Sequence, residues 1–153
     1  MSLGIVIRKM ELEDIPAVFK LGYSAYIKEK GNEKAYAYSY WTLTGISKII
    51  EEYPELAFVA TLRKKVIGFV LGHPSYDHLT DVGYLEWIAI DKKYRGKGYA
   101  QELANVLIDV YREKGYKKLV TDIQGDNIPS LNLFKKKLRF KEKESIIFLE
   151  SEI

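Results

Sequence analysis

Residues 84–100 read YLEWIAIDKKYRGKGYA, and this stretch decides the fold. Tyr84 to Ile90 is rich in aromatic and β-branched residues, which predicts a strand. Gly96 and Gly98 then stand among Lys92, Lys93, Arg95 and Lys97, which predicts a basic turn. From Gly98 to about Lys114 the spacing predicts a helix: Leu103, Ala104, Leu107, Val110 and Tyr111 share one side, and Gly115 supplies the stop. The first N–H groups of such a helix have no internal partners and point back at the turn. A diphosphate placed there receives several N–H donors and the positive end of the helix dipole. Gly96 and Gly98 permit close approach, Lys93, Arg95 and Lys97 add charge from the rim, and Ala100 is small where the helix meets the sheet. The motif is neither GxxxxGK[ST] nor GxGxxG, because Gln101 stands where the latter needs its last glycine.

Outward from this centre, Ile5 to Lys9 reads as an opening strand. Glu11, Glu13 and Asp14 place negative charge in the first turn of a helix that carries Ile15, Val18, Phe19, Gly22 and Tyr26 at helical spacing, with Gly31-Asn32 as its stop. A second helical region is expected from Glu33 to about Glu51. Leu56 to Leu62 and Val66 to Leu71 form a hairpin around Arg63-Lys64-Lys65, and Gly72-His73-Pro74 ends its second strand. After the long helix, Leu119 to Ile123 is a strand, Pro129 to Leu138 a shorter helix, and Ile146 to Leu149 a closing strand. Hairpins ahead of a β-α-β unit predict an α/β fold (α+β in some schemes) with a mixed, mainly antiparallel sheet flanked by helices. No repeat or linker divides the 153 residues, so 1–153 reads as one domain.

Composition excludes several classes. The chain is 47% hydrophobic and 29% charged, the balance of a folded globular protein rather than a disordered one. No apolar run approaches a membrane span of about 18 residues, and no secretory pattern opens the chain, which points to the cytoplasm. Zero cysteines exclude a disulfide, a thiolate nucleophile and a thiolate metal site. His73 and His78 lack a convincing ligand set around them, so no metal is expected. A net charge of +3 is too small to indicate a nucleic-acid binder, and there is no coherent basic helix or aromatic RNA platform.

Arg95, Gly98 and Ala100 complete an R-x-x-G-x-A motif, and with it the chain resembles the GNAT superfamily of N-acetyltransferases. The resemblance extends over nearly all the chain. IRKMELEDIPAVFKL is similar to the family's first strand and helix, Lys65 to Phe69 to its third strand, and Asn127-Ile128-Pro129-Ser130 to the start of its last helix. It implies acetyl-coenzyme A as acetyl donor, held by the splayed strand at Trp87, Ile88 and Ile90. The amides of Arg95, Gly96, Lys97, Gly98, Tyr99 and Ala100 would follow, with Asn127 beside the cofactor.

The reaction implied is direct attack of a neutral amine on the thioester, with coenzyme A thiolate leaving. Such an enzyme aligns the two substrates, stabilises an oxyanion and accepts the amine's proton. The Ile88 amide is the expected oxyanion donor and Glu86 the expected base. By alternation Glu86 shares a face with Ile88 and Ile90, and burial of its carboxyl would favour proton acceptance near neutrality. Glu86 can equally bind the acceptor without taking its proton. The family's last-helix tyrosine is absent: counting from Asn127 reaches Phe134, and counting back from Phe140 reaches Lys135. The two counts differ by one residue, as a helix irregularity or an extra residue would produce. Tyr26, Tyr38 or Tyr84 can replace that acid, or the thiolate can leave without one; His73 and His78 are further relays.

The resemblance puts the acceptor between the first two helices and the late strands, where Tyr26, Tyr36, Tyr38, Tyr40 and Trp41 make an aromatic entrance. Asp77, Asp81 and Glu86 would favour a cationic amine. A protein or peptide amine ranks just above a small polyamine as acceptor. The rival reading is an acyl-coenzyme-A-binding sensor that kept the cleft and lost turnover. A homodimer is compatible with the exposed aromatics and the terminal strand.

Overall fold

The computed structural model describes residues 4–32 and 35–153, with Tyr36 described by its backbone alone. The expected helix start at Glu33 and the Tyr36 side chain lie outside the described residues. Strands β1 (Ile5–Lys9), β2 (Ala57–Leu62), β3 (Lys65–His73), β4 (Val82–Ile90) and β5 (Lys118–Val120) form one sheet in the order β1-β2-β3-β4-β5. The first three pairings are antiparallel and β4–β5 is parallel, so the sheet is mixed and mainly antiparallel, as the sequence predicts. Arg63 and Lys64 close the β2–β3 hairpin with φ of +50° and +68°, the left-handed pair whose twist matches the flanking strands.

Helices α1 (Ile15–Tyr26) and α2 (Leu43–Glu52) bury Val18, Ile46, Ile49 and Ile50 in one cluster with Val59, Phe69, Leu71 and Ala89 of the sheet. Helix α3 (Tyr99–Glu113) takes the glycine side of β3. A Cβ on Gly68 would stand 3.2 Å from Leu103, and one on Gly72 would stand 2.4 Å from the Tyr111 hydroxyl. That hydroxyl reaches the carbonyls of His73 and Tyr84 at 2.9 and 2.8 Å, tying α3 to the paired ends of β3 and β4. The contacts divide the chain into two units, Met1–Thr121 and Asp122–Ile153. The second holds α4 (Ile128–Asn132), continued by a π-helical turn over Leu133–Lys137.

Three expectations are corrected. The second helical region is interrupted: a 3-10 turn at Tyr36–Ser39 is followed by α2, which starts only where the Thr42 side chain accepts from Gly45 N at 3.0 Å. Strand β5 is shorter than expected and ends at Val120. Ile146 to Leu149 is not a strand and is largely exposed, Leu149 at 90%. A run of β-formers becomes a strand only through a ladder, and the sheet is completed by β5. Among the described residues no helix is long and apolar enough to cross a membrane.

Candidate active site

Two irregularities meet on β4. Against β3 the register passes from Leu71↔Trp87 to Gly72↔Leu85, so Glu86 is the extra residue of a β-bulge. Against β5 the pairing stops at Tyr84↔Val120, after which the Thr121 hydroxyl donates to Leu85 O at 2.9 Å. From Glu86 to Ile90 the strand keeps β3 and loses β5.

Side chains serve this open edge. The Tyr26 hydroxyl, from the last residue of α1, accepts from Ile88 N at 2.7 Å and donates to Ile88 O. Its ring packs against Trp87, Trp41 and Phe69, with centroids 4.9, 5.5 and 6.4 Å away. Burial pushes the phenol's ionisation far above its usual range, outweighing the backbone hydrogen bond to Ile88 and the field of Arg95. Arg95 Nε donates to Ile90 O at 2.9 Å, and its two terminal nitrogens reach the Glu29 carboxylate at 2.7 and 2.8 Å. The hydrogen bond from Arg95 holds the Glu29 carboxyl below the usual range. The Arg95 side chain therefore anchors the turn to the segment after α1, rather than standing free at the rim as the sequence suggests.

Beyond Arg95, Gly96 and Gly98 have φ of +78° and +84°, and a Cβ at either would meet nothing within 4 Å. Both positions need glycine for backbone reasons. Gly98 is the N-cap of α3, and the first helical bond is Glu102 N to Gly98 O at 3.1 Å. The amides of Tyr99, Ala100 and Gln101 thus precede the helix's own ladder. Lys92, Lys93 and Lys97 are exposed around this turn.

On the α2 side of β4 lies a cavity of about 240 Å³. Its walls include Trp41, Trp87, Tyr40 and Tyr53, and its polar groups come from Glu86, Glu52, His73, Lys48 and Thr42. Glu86 and Trp87 both line it, which strict alternation forbids for neighbours and the bulge permits. The expected shared face of Glu86, Ile88 and Ile90 is corrected accordingly. His73 ends β3 with Nδ1 2.9 Å from Ser75 O and its ring 5.0 Å from Tyr53. Tyr38 is 45% exposed, Tyr84 packs on Tyr76, and His78 sits in a turn with φ +66°.

Residues 16–140 match the Acetyltransferase (GNAT) family. The chain belongs to that family. It is similar to N-alpha-acetyltransferase 30 of Schizosaccharomyces pombe, 30% identical over 57% of this chain and 59% of that protein. It matches the structure of an N-acetyltransferase from Staphylococcus aureus Mu50 at TM-score 0.73 and 26% identity, over 88% of this chain and 82% of that one. An aminoglycoside N-acetyltransferase, AAC(6')-Iy, in complex with coenzyme A shares the fold at TM-score 0.73 and 21% identity, over 97% and 95% of the two chains. The match spans 59% of the fission-yeast relative and 34 to 43% of three further curated relatives.

As a GNAT fold, the first unit assembles most of the site residues expected from sequence. Glu86, Trp87, Ile88, Ile90 and the turn from Arg95 to Ala100 lie in one stretch of β4, turn and α3. Asn127 lies in the second unit, where its side chain accepts from Ser130 N at 3.3 Å and caps α4. The π turn after it inserts one residue into the helix, which is the offset between the two sequence counts, and it buries Phe134. Sequence reading missed Glu52, Tyr53, Lys48 and Thr42. Part of the signal was there, since Thr42 caps α2 and Glu52 and Tyr53 follow Ile49 by three and four residues. Among the described residues no three His, Asp or Glu side chains gather as metal ligands.

Proposed function

We propose that residues 1–153 act as a single acetyl-CoA-dependent N-acetyltransferase domain that moves acetyl to a primary amine by direct attack. The observation that carries this reading is the coincidence on β4 of an open edge, a bulged glutamate facing a cavity, and a glycine turn into α3. The residues present fit the donor. The amides from Gly96 to Ala100 offer N–H groups with room beside both glycines, Lys92, Lys93 and Lys97 supply charge, and Ile88 and Ile90 lie on the strand edge with backbone groups held by the Tyr26 and Arg95 side chains. Trp87 gives its ring to the wall between edge and cavity. The donor brings an activated acyl group; the protein aligns, desolvates and moves one proton.

Glu86 accepts that proton, directly or through water, and with Glu52 gives the cavity two carboxylates against Lys48. This balance and the aromatic walls suit a cationic amine. At about 240 Å³ the cavity is below the ~300–1,000 Å³ range of drug-sized sites. Its size favours a single amine-bearing residue of a peptide, or a slim polyamine, over a multi-ring aminoglycoside. The buried Phe134 favours a second reading, a sensor that binds acyl-coenzyme A without turnover.

The test is incubation with acetyl-coenzyme A and a panel of peptides, polyamines and aminoglycosides, following free thiol and product mass together. The proposal expects acetylated product from wild type. In Glu86→Gln the rate falls by about 10²–10⁴-fold, with coenzyme A binding retained. Tight binding with no product across the panel supports the sensor, and absence of coenzyme A binding overturns both.

A further inference from the structure

We propose that the Tyr26 hydroxyl is the hydrogen-bond donor this chain presents to an acyl carbonyl at the open edge of β4. The proposal rests on the acetyltransferase reading and adds to it a catalytic residue from α1.

Ile88 lies within the part of β4 that β5 has left, and its N–H is not offered to the edge directly. That N–H donates to Tyr26 Oη at 2.7 Å, and the phenol's own proton is turned to Ile88 O. One hydroxyl therefore stands in front of both backbone groups of the residue expected to face the acyl oxygen. The two residues are 62 positions apart, so the contact is made by the tertiary fold and not by local geometry.

The phenol is held and kept neutral. Its ring is fixed by Trp41, Phe69 and Trp87. Burial keeps its proton on across the working range of pH. A neutral phenol carries one donor and can accept at the same oxygen. While Oη accepts from Ile88 N, the proton needs only a rotation about the C–O bond to leave Ile88 O for an oxygen arriving at the edge. The N–H to Oη bond polarises the O–H, so the strand's amide acts through the phenol. The exchange trades one hydrogen bond for another, and it frees Ile88 O to accept an N–H from the ligand or a water. No side chain rearranges, which is the condition for a preorganised donor. Neither other tyrosine considered from sequence is so placed: Tyr38 is exposed and Tyr84 packs on Tyr76.

The opposite reading is that the phenol is a placeholder, displaced when the Ile88 amide meets the ligand. The two are separated by isotope-edited infrared spectroscopy of the full chain with acetyl-coenzyme A carrying ¹³C at the thioester carbonyl, beside titration calorimetry and steady-state kinetics. The donor role expects the bound carbonyl band to move to lower frequency in wild type and to lose most of that movement in Tyr26→Phe. With 3,5-difluorotyrosine in place of Tyr26, a more acidic phenol of nearly the same shape, the band moves further. With a productive acceptor, Tyr26→Phe lowers kcat by about 10²-fold and leaves the KM for acetyl-coenzyme A little changed. An unchanged carbonyl shift with equal or tighter binding in Tyr26→Phe overturns the donor role and leaves the acetyltransferase reading standing. If Tyr26→Phe does not fold, the fluorinated protein decides, because an unmoved band there overturns the proposal by itself. Failure of wild type to bind acetyl-coenzyme A overturns the acetyltransferase reading and this proposal with it.

Discussion

Gly22→Ala should destabilise this protein because of one indole, and the size of the effect follows from the packing. A Cβ on Gly22 would lie 2.1, 2.3 and 2.7 Å from Cζ2, Cε2 and Nε1 of Trp41. The ring has little freedom to retreat. Its Nε1 donates to Phe19 O at 2.9 Å, it stacks on Phe69 at 5.3 Å between centroids, and it is 3% exposed. Overpacking of a closed site costs typically 1–3 kcal/mol, and contacts this short belong at the upper end, about 3 kcal/mol. Against that, alanine within a helix gains about 1 kcal/mol over glycine. The net loss is about 2 kcal/mol, a fall in Tm of about 4–8 °C for a domain of this length. Trp41→Leu removes the obstructing ring, so in that background the same Gly22→Ala change should keep only the propensity gain and turn neutral or stabilising. Urea denaturation of wild type, both single variants and the double variant gives the cycle. If the two substitutions add within about 0.5 kcal/mol, the indole is not what requires Gly22. Trp41 also lines the cavity proposed for the acceptor, so a displaced indole should raise the acceptor's KM more than the donor's.

Gly98→Ala tests the backbone of the turn proposed to hold the diphosphate: at φ +84° with no neighbour to strike, the substitution should cost about 1–2 kcal/mol of stability or local strain. Calorimetry should show weaker coenzyme A binding, Gly98→Asn falling between the two; unchanged stability and affinity would show that the left-handed cap is dispensable. Asp14 tests pH linkage, since its carboxylate accepts from Arg8 at 2.7 and 2.9 Å and from Glu11 N at 2.8 Å, and chiefly the Arg8 bond holds its carboxyl below the usual range. A lowered folded-state value contributes stability that is full above the unfolded carboxyl's pKa near 4 and is lost as pH falls through the folded value. Asp14→Asn should therefore cost about 1–3 kcal/mol at neutral pH, and the gap to wild type in urea midpoints should close in acid; a gap that stays constant contradicts the linkage.

What the sequence made legible was whatever a local pattern carries. The passage from period 2 to period 3.6 across Gly96 and Gly98 located β4, the turn and α3 almost to the residue, because both ends are marked by chemistry that only those backbones require. Arg63 and Lys64 were legible as a turn only because two strand-like runs flank a short basic segment, since neither residue favours the positive φ it adopts. Single-residue insertions were not. The bulge at Glu86 and the π turn at Leu133–Lys137 each add one residue to an otherwise regular element. Alternation carries no sign of the first, and the second showed only as two counts that disagreed. Ile146 to Leu149 misled because local β-preference does not supply a partner. Tyr26 was legible as a helix position and as one of three tyrosines that can replace the missing acid, and nothing near it in sequence announces that its hydroxyl reaches Ile88.

That last contact bears on why the proposed site stands on β4. A strand that keeps one neighbour and loses the other has polar groups on its free side that need partners. A sixth strand would satisfy them permanently and close the cleft. Here side chains do it: Tyr26 takes both groups of Ile88, and Arg95 takes Ile90 O. In the proposal above only the phenol's bond to Ile88 O is given up, and the register against β3 is undisturbed because no ladder depends on that bond. The bulge acts on the β3 side of the strand, where the register shift takes Glu86 out of the alternation so that it lines the cavity beside Trp87. An edge held by exchangeable donors and a carboxylate released from alternation thus lie two residues apart, and a regular, fully paired β4 would provide neither.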